Sequence, residues 1–353
     1  MRTRLFGFGI TFILSLPVLA QSELVLPATA DRAWGSGNAS SAMIGQNTSR
    51  TQLIYASPFA PGTVVAGIGM RCAPSTVDRP SFTATVEIRV SSTTAVPGAL
   101  STTWGNNVGN DEVIVLPQQV VTIPAMPANR GTGTFAEFPF TTPFVFGLNG
   151  NPNICVDVTV YARSAGASWS TDRDFAGTNG NARAHGIGCG PATVNVSSTN
   201  GSYVDGCTMN FTLAGAPPGT IAALVPSIDQ KEYVPGFPLP FPLSLIGAAP
   251  GCDLLVNSDL GLWLAITDGA GAASTSITLS GYSSFGMGAQ WLYLVTPTAS
   301  NPAGMETAAS RAIWIGPSTV HPNAGYVWEL FSATSATGSA STNAVPVCKF
   351  MLL

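Results

Sequence analysis

Few side chains in this sequence can carry chemistry. It holds two histidines, His185 and His321, and charged residues make up 9% of its 353 positions. A serine hydrolase needs a nucleophile, a base and an acid that orients the base. No G-x-S-x-G occurs, and Gly281-Tyr-Ser-Ser-Phe-Gly286 misses the spacing. His185 lies in a Gly/Asn-rich stretch and His321 stands before Pro322, so both read as exposed loop histidines rather than general bases. The sequence contains no H-E-x-x-H, Walker loop or dinucleotide fingerprint. Gly186-Ile-Gly-Cys-Gly190 is glycine-rich but opens no helix.

Carboxylates are the next candidates. A glycoside hydrolase works with two of them ~5–10 Å apart. Glu87, Glu112, Glu137 and Asp157 fall in or beside strand-like runs, and Glu112 with Glu137 is the pair such an enzyme would use. The competing reading weighs more: Glu87 is a solvent-facing strand residue partnered by Arg89. No catalytic residue is therefore assigned. Calcium is the one cofactor considered, through Asp172, Asp174, Asn179 and Asn181, or through Asn149, Asn151 and Asn153. Asp and Asn in such places more often shape turns, so no metal site is assigned.

Aromatic residues in polar loops suit sugars, because a flat apolar face packs on a pyranose ring. Trp34, Trp104, Trp169 and Tyr203 sit in Gly/Ser/Asn-rich surroundings and are the candidate ligand-binding set. Equally, they could cover the ends of sheets. Trp263, Trp291 and Trp314 sit in strand patterns and read as core.

The elements that would hold these residues are strands. In Phe82 to Val90, Phe82, Ala84, Val86, Ile88 and Val90 alternate with Thr83, Thr85, Glu87 and Arg89, the period of a half-buried strand. Similar runs recur between turn signals such as Pro61-Gly62 and Pro97-Gly98, and no window shows helical periodicity. The expected fold is all-β: two antiparallel sandwiches, jelly-roll or Greek-key-like, held by disulfides. Residues 21–165 form the first and 187–316 the second, with a Gly/Asn/Ser-rich linker at 166–186. Residues 317–353 form an extension that reads as a β-hairpin around Ser332 to Asn343. Gly236 to Asp253 is apolar and broken by Pro238, Pro240 and Pro242, which rules out a helix or a central strand. It reads as an extended segment laid across a sheet, turning at Pro250-Gly251 and tethered by Cys252.

The N-terminus places the chain outside the cytoplasm. Arg2 and Arg4 precede an apolar core from Leu5 to Val18, and Val18-Leu19-Ala20 is a small-residue cleavage site. This is the pattern of a secretory signal peptide, residues 1–20, cleaved after Ala20. Secretion or display at the cell surface follows. Beyond it no apolar run approaches the ~20 residues of a spanning helix, despite a mean hydropathy of +0.30. Net charge is -4, or -4 - 2 = -6 without Arg2 and Arg4, and lysine occurs only at Lys231 and Lys349. Nucleic acid and anionic membranes are thereby excluded as partners, since both need clustered cations.

Six cysteines, Cys72, Cys155, Cys189, Cys207, Cys252 and Cys348, are an even set, which in an exported chain argues for disulfides but allows many connectivities. Cys72 and Cys155 are the only two in the first half and are the expected pair there. Against it, Cys155 shares the phase of Asp157, opposite Ile154 and Val156. The pairing then requires a strand buried on both faces or a bulge.

Several motifs stand in order in the second half: Gly186-Ile-Gly-Cys-Gly190, Leu213-Ala-Gly-Ala-Pro-Pro-Gly219, Pro238-Leu-Pro-Phe-Pro-Leu243, Gly251-Cys-Asp-Leu-Leu255, Ala289-Gln-Trp-Leu292, Asn301-Pro302 and Arg311-Ala-Ile-Trp-Ile-Gly316. Together they resemble an uncharacterised secreted β-rich module of planctomycete-type bacteria. Leu26-Pro-Ala28, Arg50-Thr-Gln-Leu-Ile-Tyr55 and Phe138-Pro-Phe140 are similar to the β-sandwich that often precedes it. The resemblance implies secretion, a β fold and a Cys189–Cys252 pair, which leaves Cys207 and Cys348 to each other. It implies no catalytic residues.

The expected function is that of a secreted, non-enzymatic protein serving extracellular binding, adhesion or cell-surface structure, with an extracellular polysaccharide or envelope component as partner. The alternatives are a glycan-acting hydrolase using paired carboxylates and a structural envelope component.

Overall fold

Period-two alternation sets the architecture. In the strand Phe82–Thr93 the five apolar residues from Phe82 to Val90 are buried, while Thr83, Thr85, Glu87 and Arg89 between them reach solvent. The computed structural model describes residues 22–35, 37–39, 43–164, 169–175, 180–199, 201–204, 206–280, 285–316, 324–330, 332–341 and 344–353, with the backbone alone at 37–39, 175 and 330. The expected leader with its cleavage after Ala20, and His321, lie outside these residues. Among the described residues there is no α-helix, and neighbouring strands pair antiparallel. The chain is all-β.

Two sheets share the first core. One has six strands in the order Ser339–Ser341, Ala324–Leu330, Ser49–Ala56, Asn153–Arg163, Phe82–Thr93 and Val113–Ile123. The other has four: Ser22–Leu26, Cys348–Leu352, Val64–Met70 and Ala136–Val145. Leu53, Val86, Val158 and Tyr326 from the first sheet pack with Ile68, Phe138 and Phe350 from the second in one buried cluster.

These pairings correct two expectations. Residues 317–353 are not an appended hairpin. Ala324–Leu330 does pair with Ser339–Ser341, but its other edge joins Ser49–Ala56. Cys348–Leu352 lies between Ser22–Leu26 and Val64–Met70 in the opposite sheet. Tyr326 and Phe350 are needed inside the first core, so the chain returns to complete it. Nor is 166–186 simply a linker. Thr171–Phe175 pairs with Gly37–Ala39 on one side and Ala344–Pro346 on the other, and Asn181–His185 is an outer strand of the next sheet. Their polar composition hides them because ion pairs and hydrogen bonds, rather than apolar packing, hold these strands.

The second core lies between a five-stranded sheet, Asn181–His185, Met305–Ile315, Phe285–Leu294, Ile221–Ser227 and Trp263–Ile266, and a three-stranded one, Thr193–Ser198, Thr208–Ala214 and Ala273–Thr278. Leu224, Trp291, Tyr293 and Ile313 meet Phe211, Leu213 and Ile277 inside. The proline-broken stretch crosses the outer face of the five-stranded sheet, as expected. Phe241-Pro242 pairs with Asp253-Leu254, and a 3-10 turn at Leu243–Ile246 ends on Gly247, whose φ of 92° favours glycine. Leu243, Ala248, Cys252 and Leu254 pack on Val225 and Leu292. A Cys189–Cys252 disulfide ties this strap down.

The other two cysteine pairings do not form. Cys72 belongs to the first core, whereas Cys155 faces away from it on a strand whose residues 153–160 are buried on both sides. Cys155 lies opposite Ser91, beyond the sheet from Cys72. Cys207 sits in the second core and Cys348 in the first. All four are buried thiols, and burial pushes those of Cys155 and Cys348 above the usual range. Thiol titration of the native protein is expected to find almost no reactive groups, four after unfolding without reductant, and six after reduction. Fewer than four in the unfolded, unreduced chain would refute this assignment.

Candidate functional site

The densest polar constellation lies where the two cores meet. Arg71 follows the strand Val64–Met70 and is fully buried. Its Nε donates to Asp172 Oδ2 at 2.8 Å, Nη1 to the carbonyls of Ala30 (2.6 Å) and Thr132 (3.2 Å), and Nη2 to that of Ala33 (2.9 Å). Asp172, also fully buried, accepts a further bond from the Gly35 amide at 2.9 Å. Burial raises the Asp172 carboxyl and lowers the Arg71 guanidinium, each against the pull of its partner. Trp34 is held between the cations: Arg71 and Arg130 lie 5.2 Å and 5.3 Å from its ring.

His185 completes the cluster, its ring 4.7 Å from that of Trp34. Ser310 Oγ donates to the His185 carbonyl at 2.9 Å and lies 3.0 Å from Nδ1. Burial first, and Arg130 second, lowers the His185 pKa to about 3. Sealed from solvent, this imidazole has no substrate to act on.

From the second unit, Gln230 accepts from the Trp34 amide and exchanges backbone bonds with Arg32 and Thr132. Arg32 pairs with Asp229, Lys231 with Asp31 at 2.8 Å, and Asn129 donates to Asp253 at 2.8 Å. The seam is a hydrogen-bonded joint. Beside it a cleft of about 350 Å³ is lined by Arg32, Asp229, Glu232 and Asp259. Asp229 there accepts from the amides of Lys231 and Glu232 in its own loop, and Asp259 from the amide of Ile228 across the cleft.

The aromatic set is not a binding face. Trp34, Trp104 and Trp169 are only 1%, 2% and 2% exposed. Trp104 is stacked under Arg50, and Trp169 packs by Phe82 and donates to Thr171 Oγ1. Half-buried Tyr203 donates its hydroxyl to the Val196 carbonyl at 3.0 Å. Their polar loops fold back over the sheets, which composition alone conceals. His185, expected in an exposed loop, is likewise buried at the end of a strand.

The carboxylates are not brought together either. Glu87 and Glu112 both bind Arg89, at 2.7 Å and 3.3 Å, on the outer face of the six-stranded sheet. Glu137 binds Lys349 on the outer side of the four-stranded sheet, so the core separates it from Glu112. Asp157 is held by Arg50 and Gln52, each at 2.7 Å. Of the calcium candidates, Asp172 serves Arg71 and Asp174 accepts from Thr29. Asn149, Asn151 and Asn153 bond the carbonyls of Ser92 and Ala95, and Asn179 lies outside the described residues. Among the described residues no group of three or more His, Cys, Asp or Glu is placed to hold a metal.

Two surface features of the second unit escaped the sequence reading. The outer face of the three-stranded sheet is an array of hydroxyls and amides. Asn195, Thr212 and Ser274 form one cross-strand row, Ser197, Asn210 and Ser276 the next. Thr193, Thr208 and Thr278 flank them, and no charged residue stands in these strands. At the edge of the five-stranded sheet, Leu264 and Ile266 are each 73% exposed. No family model matches the chain, and no curated protein matches it.

The buried ion pair yields a mutational expectation. Arg71→Met strands the Asp172 carboxylate and is expected to cost about 3–5 kcal/mol in urea unfolding. Arg71→Met/Asp172→Leu should recover the part due to the stranded charge but not the part due to the orphaned carbonyls of Ala30, Ala33 and Thr132. Equal loss in both variants would refute it.

His185 yields a pH expectation. Between about 6.5 and about 3 the unfolded chain binds a proton that the folded chain does not, so stability falls with acidification by up to about 1.4 kcal/mol per pH unit. His185→Gln should remove that slope. Asp172, raised by burial, acts with the opposite sign above its ordinary value of 3.8, but it is present in both proteins and cancels in the difference.

Proposed function

We propose that this chain is exported and acts outside the cell as a non-enzymatic binding protein that adheres to neutral extracellular polymer, most simply an insoluble polysaccharide. The observation that carries this reading is the outward face of Thr193–Ser198, Thr208–Ala214 and Ala273–Thr278. Side chains two apart on a strand repeat at about 7 Å, and rows on adjacent strands at about 4.8 Å. Neutral hydroxyls and amides at that spacing match a repeating, hydroxyl-rich, uncharged surface better than an ionic one. The Thr208–Thr278 and Asn210–Ser276 bonds, each 2.6 Å, orient members of the array across strands.

Two further facts support it. The carboxylates named for catalysis are engaged by Arg50, Arg89 and Lys349. The Cys189–Cys252 disulfide suits an oxidising compartment, and no described helix is long and apolar enough to cross a membrane.

Purified chain beginning at Gln21 is expected to sediment with cellulose or chitin particles equally at low and high salt, because the contact is uncharged. Asn210→Glu/Thr212→Glu should abolish retention while shifting stability by less than about 1 kcal/mol, as surface changes do. Retention untouched by this variant, or turnover of the polymer without retention, would overturn the reading.

A further inference from the structure

Among the described residues every strand pairing of the second unit lies between residues 181 and 315, and the longest, Asn181 with Trp314, spans 133 positions. Its core, its strap and the Cys189–Cys252 disulfide fall within the same span. The first unit is not contiguous. Leu26 pairs with Cys348, 322 positions on, and Ser49 with Leu330, 281 positions on. Ser22–Leu26 pairs only with Cys348–Leu352, which in turn lies against Val64–Met70. Without residues 324–352 the four-stranded sheet keeps two strands, and the core loses Tyr326, Val345, Cys348 and Phe350. Two strands alone are marginal in water. The strand Cys348–Leu352 is also keyed to its place. Lys349, 3% exposed, stands between Val25 and Gly69, with Glu137 beyond Gly69 in the same row. Gly69 has no side chain to block the lysine stem: a Cβ there would lie 3.3 Å from both Cβ and Cε of Lys349. The Nζ so reaches Glu137 at 2.5 Å and Glu23 at 2.8 Å, a carboxylate on each outer strand of the sheet. A slip of one residue would turn Lys349 into the core.

We propose that the second unit is an inserted domain that folds before the first, and that the first core stays open until Cys348–Leu352 slots between Ser22–Leu26 and Val64–Met70. Domains generally form in N-to-C order as a chain is made. Here topology inverts that order. A chain grown to residue 316 holds every strand of the second unit, but Ser22–Leu26 has nothing to pair with and Ser49–Ala56 has a bare edge. In a complete chain released from denaturant the same order holds, because contacts between distant residues form slowly. The folded second unit sets His185 beside Ser310, so it is entered and left at neighbouring points. Residues 324–352 are thereby returned to the first unit, and Lys349 selects the register in which the strand docks. Resting on the export reading above, the strand that adjoins the leader stays unpaired until residue 348 has also crossed, so the first unit cannot lock while the chain is in transit.

The native thiols report the order, because Cys207 lies in the second core and Cys72 and Cys348 in the first. The chain beginning at Gln21, unfolded in urea with its disulfide intact, is refolded and pulsed with an alkylating agent at intervals, and each thiol is read by peptide mass. Cys207 is expected to become protected first, and Cys72 and Cys348 together in a later phase. Phe350→Asp, which puts a charge into the slot, should leave Cys207 protected while Cys72 and Cys348 react in full. Protection of Cys72 or Cys348 with or before Cys207 would overturn the proposal. So would a Phe350→Asp protein whose three thiols are all reactive or all protected. Cleavage after Ala20 in an exporting cell is scored separately: its absence removes the export reading and leaves the order of folding standing.

Discussion

The Arg71–Asp172 pair is the interaction on which the rest of the structure depends. Asp172 sits where the chain leaves the first core, on a short strand between Gly37–Ala39 and Ala344–Pro346. Its backbone amide donates to Arg71 and its carbonyl accepts from Val347. Arg71 reaches in turn to Ala30, Ala33 and Thr132. Departure, return and the N-terminal loop therefore converge on one guanidinium. Removing two charges from water is costly, and here each is surrounded by bonds that offset the loss. A hydrophobic pair of the same volume would leave the carbonyls of Ala30, Ala33 and Thr132 and the amide of Gly35 without partners and would not dictate which backbone segments meet. The pair's contribution is specificity of assembly.

The same logic extends across the joint. Trp34 lies over Arg71 and Arg130 and against His185, so one indole touches the first unit's cations and the second unit's first strand. Within the second unit, buried Gln290 bonds the carbonyls of Asp253 and Ala308 and the amide of Leu255. It anchors the same end of the strap that Cys252 ties down. Proline limits that strap to two-residue ladders, and a disulfide with one glutamine fastens it to the sheet.

Local alternation was legible wherever a strand has one buried face. Phe82 to Val90 and Cys207 to Leu213 could be read directly, and the strap's prolines announced what it is not. What escaped is non-local. No pattern within Ala324–Leu330 says that its partner lies some 270 residues earlier, at Ser49–Ala56. Trp34, Trp104 and Trp169 looked exposed because their neighbours are polar, yet each is covered by a loop or a cation from elsewhere. Cys155 gave a local warning, its phase shared with Asp157, and that warning proved sound. Arg71 also left a trace, a lone cation ending the apolar run Val64 to Met70, but its partner Asp172 lay in a stretch whose composition spells loop.

The second unit presents two unlike surfaces on opposite sides of one core. Its three-stranded sheet exposes hydroxyls and amides that keep their water at little cost, a face suited to repeated weak contact with a hydrated neutral polymer. The outer face of its five-stranded sheet is polar around Gln290, His185 and Ser310 and apolar toward the Trp263–Ile266 edge, where Leu264 and Ile266 are exposed. The strap covers one part and disulfide bonding holds it there. The uncovered part is a strand edge, where side chains and unpaired backbone share the same need for a partner.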